Sequence, residues 1–118
     1  MDKTTKIRIA AATTALGIAL GAFGAHGREA TLEANDRVAN WETATLYHLI
    51  HGLAMFVVAM RSRAIGYFWF LGGILLFSGS LYILALTNIT KLGAITPFGG
   101  TAFLIGWASW IFAKKIEE

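Results

Sequence analysis

Charged residues punctuate this chain at wide intervals. Four stretches carry no Asp, Glu, Lys or Arg: Ile9–Ala25, Thr43–Met60, Ala64–Thr90 and Leu92–Ala113, of 17, 18, 27 and 22 residues. A helix needs about 20 mostly apolar residues to cross the hydrocarbon core of a bilayer. The pattern therefore predicts an all-α membrane protein, an antiparallel up-and-down bundle of four transmembrane helices. The expected spans are residues 7–26, 41–60, 64–88 and 93–114, within a single membrane domain over 1–118. Residues 27–40 form the long connector, for which a short interfacial helix is expected because Leu32, Val38 and Trp41 give it an apolar side. Glu33 can reach Arg37 there at i,i+4, and Asn40 reads as the N-cap of the second span, with Glu42 in its first turn.

Composition agrees. Hydrophobic residues make up 56% of the chain and charged residues 14%, against roughly 25% charged in soluble domains. Without cysteine there is no disulfide, thiolate metal site or cysteine nucleophile. The first 25 residues mimic a secretory signal, with Lys3, Lys6 and Arg8 before an apolar run. That run exceeds the usual 7–15 residues of a signal's apolar region and is read as the first membrane helix.

The net charge of +3 does not point to nucleic acid, because the basic residues flank the spans instead of lining one face. If the spans alternate, Lys3, Lys6, Arg8, Arg61, Arg63, Lys114 and Lys115 fall on one side, and Arg28, Arg37 and Lys91 on the other. Cytoplasmic loops carry the Lys/Arg excess, so both termini are expected in the cytoplasm, with the protein in the cell (inner) membrane. Trp41, Tyr67, Trp69, Trp107 and Trp110 sit near span ends, where aromatic belts are expected. Gly17 and Gly21 form a GxxxG pair, and span four carries Gly99, Gly100, Ala102 and Gly106. Such small-residue rows let helix backbones approach closely, within one bundle or across a dimer seam. Pro97 marks the start of the fourth helix.

Ionisable residues within a span count as functional candidates. His48 and His51 lie i,i+3 on span two, roughly 7–8 Å and about 12 Å from its outer end at the helical rise per residue. Tyr82 and Ser78 on span three fall at matching depths, Thr101 on span four lies in the same half, and His26 ends span one. The candidate polar pocket is therefore His26, Glu42, Tyr47, His48, His51, Ser78, Tyr82, Thr96 and Thr101. Four readings of it stay open: neutral imidazoles holding helices together, a proton or ion path, metal or haem ligation, and intramembrane catalysis. No Ser-His-Asp set, HExxH or paired carboxylate lies in the spans, so no catalytic residue, metal ligand or cofactor is assigned and an enzyme is not expected. No span carries Asp or Glu beyond its entrance, where Glu42 sits, whereas small four-span drug/proton antiporters rely on a membrane-embedded carboxylate.

The segments GAFGAHG (Gly21–Gly27), WETATLYHLIHGLAM (Trp41–Met55), GGILLFSGSLYILALT (Gly72–Thr87) and LGAITPFGG (Leu92–Gly100) resemble the small membrane family known as domain of unknown function 423. Its relatives include a vertebrate transmembrane protein of similar size. The resemblance covers nearly the whole chain and implies a four-span membrane protein with no established activity. The motif positions it highlights are His26, Glu42, Thr43, Tyr47, His51, Ser78, Gly79, Ser80, Tyr82, Gly93, Ala94, Thr96, Pro97 and Gly99, while His48 falls where the family varies. The expected function is an accessory or scaffold component whose pocket binds a lipid headgroup or a small solute. The alternative is a minimal proton or small-solute channel formed by an oligomer. Membrane lipid, a second copy or a larger membrane complex are the expected partners, and nucleic acid is not.

Overall fold

Asp2 starts the first helix. Its carboxylate accepts the Thr5 amide at 2.7 Å, satisfying one of the amides that a helix start leaves unpaired, and that bond holds the carboxyl below its ordinary pKa. The computed structural model describes residues 1–115, and among them every regular element is helical, with no strand. Helix α1 (Lys3–Ala22) runs into a π-helical turn at Phe23–Gly27. The short α2 (Glu29–Ala34) follows, anchored by Leu32, which is fully buried. Helix α3 spans Val38–Ala59. A long third helix consists of α4 (Tyr67–Gly73), a π segment at Ile74–Ser78 and α5 (Gly79–Thr87). Asn88 ends it in the left-handed region at φ 57°, donating its amide to Leu84 O, as a C-terminal cap does. A 3₁₀ turn at Thr90–Ala94 leads to α6 (Thr96–Ile111), with Pro97 in its first turn as the sequence predicts.

Two details of the connector differ from expectation. Helix α3 begins at Val38 without a side-chain cap, so Asn40 lies inside its first turn. Arg37, expected to pair with Glu33, donates from Nε to Asn88 Oδ1 at 2.9 Å. That contact sets a cation at the negative end of α5 and ties the connector to the third helix. Asn35 makes a second tie, from Nδ2 to Ala85 O at 3.0 Å.

Among the described residues, two helical stretches are long and apolar enough to cross a membrane by length and composition: Lys3–Gly27, of 25 residues, and Tyr67–Thr87, of 21. Helix α3 is 22 residues long but carries Glu42, two histidines and two threonines, and α6 has only 16 residues. Helix α1 packs along α3, α3 against the α4–α5 helix, and that helix against α6. The α3 and α4–α5 pair is therefore the middle of the molecule.

Glycine lets these backbones meet. The GxxxG row faces α3: a Cβ at Gly17 would stand 2.9 Å from Leu49 Cδ2, and one at Gly21 2.9 Å from Thr45 Cγ2. On the other side Phe103 covers Gly73 while Phe70 covers Gly106, and Gly99 lies directly on the Phe77 backbone. Small residues are thus used within the bundle, as expected of membrane helices, which gain little from excluding apolar side chains from lipid.

The outside is as apolar as the inside. Ile18, Leu75, Leu104 and Ile111 are 62%, 65%, 71% and 74% exposed, large apolar side chains turned outward on α1, the third helix and α6 alike. The aromatics expected in belts divide. Trp69 does face outward, but Trp41 and Tyr67 are buried. Both donate to a carbonyl of α1, Trp41 Nε1 to Leu20 O at 2.8 Å and Tyr67 Oη to Lys6 O at 2.9 Å, and the half-buried Trp110 donates from Nε1 to Ile65 O in the loop before α4 at 2.8 Å.

Candidate functional site

His48 points from α3 into the seam with α1 and α5. Its Nε2 lies 2.8 Å from the Thr13 carbonyl and its Nδ1 2.9 Å from the Tyr82 hydroxyl. A carbonyl only accepts, so the neutral ring carries its proton on Nε2, and Tyr82 donates to Nδ1. Thr45 Oγ1 stands 3.5 Å beyond the Tyr82 oxygen. The polar chain Thr45–Tyr82–His48 therefore ends on a backbone carbonyl of α1.

His51, one turn further along α3, is built the opposite way. Trp107 donates from its indole Nε1 to His51 Nε2 at 3.0 Å, and His51 Nδ1 lies 2.8 Å from Tyr47 O. An indole can only donate, so Nε2 is bare and Nδ1 bears the proton. The ring also stacks on Phe103, with centroids 3.6 Å apart and planes 10° from parallel. Two neutral tautomers of opposite type thus sit on one helix. Nitrogen NMR of labelled protein in micelles is expected to show Nε2–H for His48 and Nδ1–H for His51, and the same tautomer at both would contradict this geometry.

The nine residues expected to share one pocket are distributed over the molecule. His48 and Tyr82 border a groove beside α1. Tyr47, His51 and Thr101 border another, between α3 and α6. Ser78 is completely buried and donates to Ala44 O at 2.7 Å, and Thr96 pairs with Ser80 at 2.6 Å. Thr101 donates to Pro97 O of its own helix, and His26 lies exposed in the π turn. The depth match brings Tyr82 to His48 but leaves Ser78 beside Ala44 rather than His51. Helix α3 begins at Val38, before the expected start, and the length of the tyrosine side chain closes the remaining gap. Sequence reasoning missed Trp107 as the partner of His51. The signal was there: Phe103 and Trp107 are i,i+4 on α6 and so share a face. Every buried side-chain nitrogen and oxygen among the described residues has a hydrogen-bond partner. No three of the described His, Asp and Glu residues are grouped so as to hold a metal ion.

Glu42 belongs to a different cavity, of about 350 Å³, enclosed by α2 and the adjoining ends of α1 and α3. Its polar lining is Glu29, Glu33, Glu42 and Thr45, and its walls include Gly21, Gly24, Leu32 and Trp41. Trp41 can lie directly against Gly24 in this wall because glycine has no side chain: a Cβ there would overlap the indole. Carboxylates over an apolar and aromatic floor suit a cation, whose charge is met at the rim and whose methyl or methylene groups lie on the ring.

Residues 20–100 match the family model described as "Protein of unknown function (DUF423)". The chain is 43% identical over 116 residues to the UPF0382 membrane protein YwdK of Bacillus subtilis, covering 91% of this chain and 93% of that protein. It is 42% identical over 113 residues to the UPF0382 membrane protein SAB0533 of Staphylococcus aureus, covering 91% and 92%. With the UPF0382 membrane protein SSP2132 of Staphylococcus saprophyticus the identity is 44% over 108 residues, covering 86% and 88%. No solved structure matches.

Proposed function

The chain belongs to the DUF423 family, a membrane-protein family of unknown function, and from that premise we propose a four-span binding component of the cell (inner) membrane. In this reading α1, α3, the α4–α5 helix and α6 cross in alternating directions. Both termini and the 60–66 loop lie in the cytoplasm, supported by seven basic residues at that end against three at the other. The greasy exterior supports the same reading. The cavity at the α2 end then opens at the outer surface and receives a cationic group, either the head of a lipid or a small solute. The protein acts as an accessory component that holds this group.

One observation carries the reading: Glu29, Glu33 and Glu42 all line a single cavity whose walls include Trp41. The histidines serve packing here, each nitrogen already being engaged. Titration calorimetry with choline as the probe, on protein in nanodiscs, tests it. Choline binding is expected to weaken as salt rises. In Glu42→Gln the Kd is expected to rise about tenfold, or about 1.4 kcal/mol. Choline binding unchanged in a variant with all three glutamates replaced by glutamine would remove the reading.

A further inference from the structure

The opposite end of the molecule carries a second groove, of about 470 Å³, between α3 and α6. Ile50, Leu53, Val57 and Arg61 line one side, and Trp107 and Trp110 the other. Leu53 is 57% exposed and Val57 48%, so the groove opens sideways along the bundle. From Ile50 to Arg61 it extends about 16 Å at the helical rise per residue. Among the described residues of its lining, Arg61 is the one that carries a charge.

We propose that this groove is a binding site for an anionic phospholipid, one acyl chain lying between α3 and α6 and the phosphate meeting Arg61. The inference rests on the spanning orientation above, which places the groove within the bilayer and Arg61 at its cytoplasmic face. Charge complementarity selects the headgroup: with Arg61, the basic residues Arg63, Lys114 and Lys115 outnumber Glu117 and Glu118, which follow them in sequence, and basic pockets between membrane helices on the cytoplasmic side bind anionic heads. Shape selects a chain over a partner helix. A helix seam needs small residues for close backbone approach, whereas Ile50, Leu53, Val57 and both tryptophans are bulky. Gly17, Gly21, Gly73, Gly99 and Gly106, which could have formed such a seam, are used inside the bundle. A flexible acyl chain fits between large side chains where a rigid helix does not.

Trp107 and Trp110 report on the groove directly. In Trp69→Phe protein, the buried Trp41 at the far end contributes only a constant background. This protein is placed in phosphatidylcholine bilayers, and the host lipid is replaced stepwise by phosphatidylglycerol or phosphatidylcholine with brominated chains. Brominated phosphatidylglycerol is expected to quench at about fivefold lower mole fraction. Arg61→Gln should bring the two curves together, while Arg61→Lys should keep them apart. Coincident curves before any change at Arg61, or a preference that survives Arg61→Gln, would overturn the site while leaving the spanning reading in place. Quenching by neither lipid would count against the spanning reading itself. Weak quenching by both, with disulfide-linked dimers forming through Leu53→Cys in this cysteine-free chain, would assign the groove to a second copy.

Discussion

Replacing Gly99 by alanine is expected to destabilise the bundle more than any other single-methyl addition along its helices, by more than about 3 kcal/mol. The added Cβ would fall on the Phe77 amide nitrogen, with the Phe77 Cα and Cβ both at 2.7 Å. Overpacking usually costs about 1–3 kcal/mol because side chains rotate away. Here the obstacle is backbone, and it lies in the π segment Ile74–Ser78. That segment is itself held in place: Ser78 donates to Ala44 O and Ser80 to Phe77 O. Relief would require moving α6 off the third helix, which also breaks the Phe103–Gly73 and Phe70–Gly106 contacts.

Two neighbours provide the comparison. A Cβ at Gly100 would meet the Phe77 ring at 3.8 Å, and one at Gly72 would meet nothing within 4 Å. Gly100→Ala and Gly72→Ala are expected to be neutral or slightly stabilising, since alanine gains up to about 1 kcal/mol over glycine in a helix. The measurement is unfolding in mixed micelles, with helicity followed as denaturing detergent replaces mild detergent. Equal midpoints for Gly99→Ala and Gly100→Ala would show that α6 does not lie on Phe77 in this way.

That contrast marks where sequence reading reaches its limit. Charge-free runs located the four long helical stretches because ionic residues must stay at the ends of apolar elements. The GxxxG row and Pro97 carried their meaning locally, and both do in the fold what their residue types demand. The π segments at Phe23–Gly27 and Ile74–Ser78 carried no such mark. Each adds one residue to a turn without changing composition, so a count along the chain passes through unaware. Ser78 was lost for another reason: the count fixes its depth but not its direction, and its hydroxyl turns to Ala44 O. Depth counting found Tyr82 for His48 because a long side chain tolerates an error of a turn, whereas a serine hydroxyl does not.

Two hydrogen-bonded tryptophans illustrate a second limit. Trp41 and Trp107 lie at span ends in sequence, where an interfacial belt and an indole donor to a neighbouring helix look identical. Only the fold distinguishes them, by supplying Leu20 O to one and His51 Nε2 to the other. The α2-end cavity was half legible. Glu42 was a candidate, but Glu29 and Glu33 join it only because α2 turns back over α3. What brings α2 there is Leu32 packing with Trp41, Leu81 and Tyr82, a contact between residues far apart in sequence.

His51→Ala is the second large effect, expected to cost about 3 kcal/mol from two sources. Losing the ring opens a void against Phe103 and Phe70, whose centroids lie 3.6 and 5.6 Å from the imidazole. It also strands the Trp107 N–H, which has no other partner assigned in the structure. A double-mutant cycle separates the two contributions. Trp107→Phe alone should cost about 1 kcal/mol by leaving His51 Nε2 unpaired. The two changes together should cost less than their sum by about 1 kcal/mol, within the range measured for hydrogen bonds between membrane helices. Strict additivity would mean the indole and the imidazole do not interact. The cycle also decides what His51 is for. A residue engaged at both nitrogens and stacked on a ring is a fastener, and its loss should show in unfolding midpoints while choline binding at the far cavity stays unchanged. An unaltered midpoint with lost choline binding would instead make His51 part of the binding apparatus and return the α3–α6 side to consideration as the functional centre.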